Sequence, residues 1–78
     1  QIVFMSMDKR LAIFLLDDIT SNGTDMVAMT HEQIARHLGT AREVVTRMLK
    51  HFSSDGVVEV TRKGIYIRDK KKLRDIAC

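Results

Sequence analysis

The 78-residue sequence contains one cysteine, Cys78. A single thiol excludes an internal disulfide and leaves too few ligands for a zinc ribbon, so a reducing cytoplasm is the default compartment. The four glycines are scattered and build no phosphate-cradling loop. Long apolar runs are also missing. The longest, Leu11 to Leu16, falls far short of the roughly 20 residues a membrane span needs. No signal peptide is recognisable, because the apolar start lacks a basic region and a small-residue cleavage site. Metal and catalytic patterns are equally thin. His31 and His37 are six residues apart, which puts them on different faces of a helix, and His31-Glu32 lacks the second histidine of a zincin. Ser53, Ser54 and Asp55 adjoin no histidine and look like a helix stop. Neither a metal site nor an enzyme is expected.

What is present fits one small soluble domain: 45% hydrophobic and 29% charged residues, with a net charge of +3. A chain of this size buries only about 60–65% of its unfolded surface, which leaves little room for an enclosed active site. The charge is uneven. Residues 1–30 carry a net −2, and residues 31–78 carry a net +5 from eleven basic and six acidic side chains. A polyanion would sit on that second part, although a solvated basic surface accounts for the same numbers.

Residues 1–7 are apolar and begin abruptly at Gln1, so they are expected to be the tail of an upstream dimerisation helix or linker. Residues 8–77 then form the domain. The spacing of Leu11, Phe14, Leu15, Asp18 and Ile19 predicts a helix over 8–21, ended by the turn formers of Ser21 to Asp25. Met26 to Met29 is either a brief strand or an apolar staple into the next helix. Met26, Met29 and Met48 are expected to fill the core. Thr30-His31-Glu32-Gln33 has the form of a capping box, and Gly39 stops the helix it starts. Thr40-Ala41-Arg42-Glu43 has the same form and predicts a second box, with Val44, Val45, Met48, Leu49 and Phe52 on the apolar side of a helix over about 41–53. Val57 to Thr61 and Ile65 to Ile67 read as a hairpin across the basic turn Arg62-Lys63-Gly64. Asp69 caps a short last helix through Leu73 and Ile76.

The expected fold is therefore mainly α with a small β-hairpin: a winged helix-turn-helix. In such a fold the second helix of the pair enters the major groove of double-stranded DNA with its N-terminus first. Arg42, Glu43, Thr46 and Arg47 lie off the apolar stripe near that N-terminus and are the candidate base readers. An arginine fork matches the O6 and N7 acceptors of guanine, and a glutamate accepts from cytosine N4. Glu43 would otherwise repel the phosphates, so a donor must hold it, either a cytosine amino group or Arg47. It can serve the second capping box as well. Arg62 and Lys63, at the tip of a wing over about 57–67, suit contact with flanking phosphates. His51 suits a phosphate contact or plain exposure.

The stretch THEQIARHLGTAREVVTRMLK, Thr30 to Lys50, resembles the DNA-binding domain of the Crp/Fnr family of bacterial transcription regulators. Its most specific part is Ala41 to Arg47, with Arg-Glu followed four residues later by Arg, and the likeness extends over about residues 8–77. The resemblance implies that Arg42, Glu43 and Arg47 read G·C pairs in the TGTGA-like halves of a palindrome. Thr46 departs from the family pattern, where the catabolite-activator branch has glycine and the Fnr branch serine. A hydroxyl there can reach a thymine or a phosphate. Backbone contacts are expected from Thr30, Thr40, Ala41, Lys50, His51, Arg62 and Lys63. The resemblance further implies an N-terminal effector domain outside this sequence, a homodimer, and RNA polymerase as a candidate partner. No cofactor is expected in these residues; cyclic nucleotide, haem or an iron–sulfur cluster would belong to the effector domain. The competing expectation is a winged helix that binds another protein and reads no DNA. It would call for exposed apolar anchors where this sequence has Arg, Glu, Thr and Arg.

Overall fold

Leu11, Ala12, Leu15 and Ile19 recur at helical spacing and are all buried, on one face of α1 (Met7–Asn22). The computed structural model describes residues 6–78, so the expected helix tail at 1–5 lies outside the described residues. Met7 already belongs to α1, one residue ahead of the predicted start. At the other end of α1, Gly23 adopts a left-handed conformation and its N–H closes onto Ile19 O, within the predicted turn cluster.

Met26 and Val27 form a strand, β1, and so settle the choice between strand and staple. Two helices follow, α2 (His31–Leu38) and α3 (Arg42–Ser54). β2 (Val58–Val60) and β3 (Ile65–Ile67) make the predicted hairpin, and α4 (Lys70–Ala77) ends the chain behind an Asp69 cap that accepts from Lys72 N. β1 pairs antiparallel with the far side of β3, Met26 opposite Tyr66 and Val27 opposite Ile65. The hairpin is thus part of a three-stranded sheet in the order β1-β3-β2. Gly64 permits this third strand, because a Cβ there would collide with the Val27 carbonyl oxygen.

The core lies where the four helices and one face of the sheet meet. It takes Leu11 and Leu15 from α1, Ile34 and Ala35 from α2, and Val45, Leu49 and Phe52 from α3. Val27, Val58, Ile65 and Ile67 complete it from the sheet, and Leu73 from α4. Burying each of the larger side chains contributes about 1.5–3 kcal/mol. Met29 and Met48 are half-buried against its edge rather than inside it, and Met26, also half-buried, lies outside it. Ala35 is a small buried residue of α2, which packs against α3. Ser53 and Ser54 belong to the last turn of α3, and the helix runs one residue longer than expected, to Ser54, with Asp55 as its C-cap.

Candidate nucleic-acid interface

Local chemistry aims α3 outward. The Thr30 hydroxyl accepts from Gln33 N at 3.1 Å, and the Gln33 side chain accepts from Thr30 N at 2.9 Å, so the first capping box is complete. At the other end of α2, Gly39 has φ 71 and ψ 37, a left-handed conformation that a Cβ would oppose. Gly39 N donates to Arg36 O at 3.3 Å and Thr40 N to Ala35 O at 2.9 Å, the paired bonds of a Schellman closure.

That closure overturns the second capping box. Thr40 N–H is already committed to α2, so Glu43 has no N-cap donor to reach. The helix starts one residue later, with Ala41 at the N-cap and no side chain capping it. Glu43 therefore sits at the second helical position instead of the third, and its carboxylate is released from any capping duty. Among the described residues it forms no ion pair, with Arg47 or with any other cation.

Val45, Leu49 and Phe52 turn one side of α3 into the core. The opposite side presents Arg42, Glu43, Thr46, Arg47 and Lys50, which together line one shallow, open hollow. The four candidate base readers are thus brought together, and Lys50 with them. A second cleft joins the start of α2 to the wing, and Thr30, His31, Arg62 and Lys63 are all on its walls. Thr61 closes the wing turn, its N–H and hydroxyl both donating to Gly64 O at 2.8 and 2.9 Å. Arg62 and Lys63 remain exposed at the tip. Thr40 is half-buried in the inter-helix turn, and Ala41 is exposed at the start of α3. His51 stands apart, on a hollow with Met48 and Ser54 that shares only Arg47 and Lys50 with the main face. Its Nε2 is 4.0 Å from Asp55 Oδ2.

Two side chains of this region escaped the sequence reading. His31 Nδ1 lies 2.9 Å from Thr46 Oγ1 and links the start of α2 to the middle of the candidate reading face. Burial pushes the His31 imidazole below its ordinary value of 6.5, and the positive charge of Arg42 pushes it further the same way. The second is Arg10, whose guanidinium reaches Leu38 O at the end of α2. Neither contact follows a helical period, so spacing carries no sign of them. Among the described residues, no three His, Cys, Asp or Glu side chains gather as a metal site would need, and no helix is long and apolar enough to cross a membrane.

Two helices joined by a glycine turn, flanked by a β wing with a basic tip, define a winged helix-turn-helix domain of the kind found in transcription regulators. Residues 9–76 match the Crp-like helix-turn-helix domain, and the chain belongs to that family. It is similar to a solved transcriptional regulator of the Crp/Fnr family from Eubacterium rectale, with 47% identity over 99% of this chain and 36% of that one, at a TM-score of 0.94. It also resembles the Thermus thermophilus catabolite activator protein, at 30% identity over 90% of this chain and 33% of that one, TM-score 0.80. The probable transcriptional regulator flp of Lacticaseibacillus casei is 35% identical over 74 residues, 92% of this chain and 34% of flp. The chain thus spans about a third of the length of these relatives.

Proposed function

We propose that this chain is the DNA-reading output domain of an effector-controlled bacterial transcription regulator acting in the cytoplasm. The observation that carries this reading is the two-sided build of α3. One side is locked into the core, while Arg42, Glu43, Thr46, Arg47 and Lys50 share the other. α3 enters the major groove, where Arg42 and Arg47 take guanine edges and Glu43 takes a cytosine amino group. Thr46 contacts a base or a phosphate beside them. The uncapped N-terminus of α3 turns its free N–H groups toward a phosphate near Thr40 and Ala41. Thr30, Lys50, His51, Arg62 and Lys63 hold the flanking backbone. Two copies bind the TGTGA-like halves of a palindrome, about 34 Å apart. An effector bound outside this chain shifts the population of DNA-competent dimers. RNA polymerase is the proposed partner of the bound regulator.

The protein-docking alternative finds little support on α3. The large hydrophobic side chain exposed among the described residues is Val60, on the wing.

Fluorescence anisotropy tests the proposal, using a duplex with a TGTGA palindrome and a scrambled duplex of equal composition at two salt concentrations. The palindrome is expected to bind tighter, and Arg42→Ala to cost it about 1–3 kcal/mol. Equal loss on both duplexes overturns base reading by Arg42.

A further inference from the structure

Among the described residues, Thr46 is the one candidate base reader engaged by another side chain. Its hydroxyl is 2.9 Å from His31 Nδ1, which comes from the preceding helix, 15 residues earlier. A threonine hydroxyl has one proton and two acceptor lone pairs, and what it offers a base depends on where that proton points. His31 decides this. A neutral imidazole with its proton on Nε2 leaves Nδ1 as an acceptor, so the Thr46 O–H donates inward and only lone pairs face the groove. An imidazolium donates from Nδ1, and the Thr46 O–H is then free to point outward.

We propose that His31 is a positioning residue for sequence recognition: it sets the hydrogen-bond polarity of the Thr46 hydroxyl and thereby the base that Thr46 accepts. This rests on the proposed DNA reading and deepens it. With His31 neutral and its proton on Nε2, Thr46 selects a base edge that carries an amino donor, adenine N6 or cytosine N4. With His31 protonated, Thr46 also donates, and edges with acceptors, such as thymine O4 or guanine O6, become equal or better partners.

The surroundings favour the neutral form. His31 is half-buried at the first position of α2, where the helix dipole opposes a cation. Lys50 of α3 and Arg62 and Lys63 of the wing border the hollows that His31 lines, and the positive charge of Arg42 acts on the ring as well. The nearest carboxylate on its own helix, Glu32, is turned to Arg36 at 3.6 Å. From the Nε2–H tautomer, acidification protonates Nδ1 and reverses the polarity of Thr46.

The test uses the TGTGA palindrome and a panel in which each base pair of the half-site is replaced in turn, at about pH 8 and about pH 5.5. The chain is expected to prefer an amino-bearing base at one position by about threefold to tenfold at the higher pH, and to lose that preference at the lower. His31→Ala should remove the pH dependence at this position and leave the positions read by Arg42 and Arg47 unchanged. His31→Asn, whose side-chain amide does not titrate, should keep a preference that no longer varies with pH. Thr46→Ala should abolish the preference at both pH values and make His31→Ala silent in the double variant. Ring nitrogen-15 spectra of the free chain supply a readout without DNA: His31 Nδ1 should be unprotonated at about pH 8. Selectivity for the palindrome with no pH-dependent position, or a pH dependence that survives His31→Ala, overturns this inference alone. Equal binding of palindrome and scrambled duplex overturns the DNA reading along with it, even if the spectra show the expected tautomer.

Discussion

The Arg10 guanidinium donates to the Leu38 carbonyl oxygen at 2.6 Å, across 28 residues of sequence. Leu38 is the last residue of α2, and its carbonyl is one of the groups a helix leaves without an internal partner. A cation at a helix C-terminus also meets the negative end of the dipole. This contact ties α1 to the turn that orients α3, so the scaffold holds the proposed reading face through a polar bond as well as through the core. Arg10→Met keeps most of the side-chain stem and loses the donor. It is expected to lower unfolding stability by about 1–2 kcal/mol, read as a lower urea midpoint at unchanged slope. A midpoint equal to wild type would show that Leu38 O is served as well by water.

Two glycines support the site for different reasons, and substitution separates them. A Cβ at Gly39 meets nothing within 4 Å, so the cost of Gly39→Ala is purely that of the left-handed backbone at φ 71, about 1–2 kcal/mol. At Gly64 the obstacle is another strand: the Val27 carbonyl oxygen occupies the place of the Cβ, and Ala28 Cα is 3.2 Å from it. Backbone cannot step aside without parting β1 from β3. Gly64→Ala should therefore cost more than Gly39→Ala and should expose the amides of the β1–β3 ladder to hydrogen exchange. Equal costs with a protected ladder would mean that β1 yields freely.

These positions also mark how far local pattern reaches. Thr30, Gln33 and Gly39 announced the first helix of the pair and its end, because capping and left-handed turns are chemistry within a few residues. The buried face of α3 followed from Val45, Leu49 and Phe52 by period alone. The second capping box failed because Thr40 N–H is shared between two motifs, and the closure of α2 takes it. Sequence shows both patterns and not which one prevails. β1 is only two residues long, and its pairing depends on β3 arriving beside it. The His31–Thr46 and Arg10–Leu38 contacts link elements whose approach no periodicity reports.

His31 gives the fold a pH dependence of defined sign. Its downward shift means that the native state binds the proton less tightly than the unfolded chain does. In the window below the ordinary value of 6.5 the unfolded chain holds more protons, so stability rises with pH there and is fully present above it. It is lost as pH falls through that window. Thermal melts at about pH 7.5 and about pH 5 should show a drop in Tm that is smaller in His31→Asn than in wild type. His37 and His51 are present in both, so the difference isolates His31. Equal drops would place the native titration of His31 at its unfolded value.

Glu43 is the sharpest test of the proposed reading face, because charge and specificity would pull on it in opposite directions. The carboxylate sits among Arg42, Arg47 and Lys50, exposed and free of any ion pair among the described residues. Near phosphates it repels, and that repulsion is the same for every DNA sequence. Near a cytosine amino group it accepts a bond that guanine or thymine in its place cannot offer. Glu43→Ala removes both effects. Binding to a scrambled duplex should become tighter and its salt dependence no shallower. The preference for the palindrome should fall by about 1–3 kcal/mol, or roughly 5–150-fold. Glu43→Gln keeps an acceptor without the charge and should fall between the two, with tighter scrambled binding and part of the preference retained. If Glu43→Ala tightens binding to both duplexes alike and leaves their ratio unchanged, Glu43 acts only as a negative charge on this face, and the specificity must come from Arg42, Arg47 and Thr46.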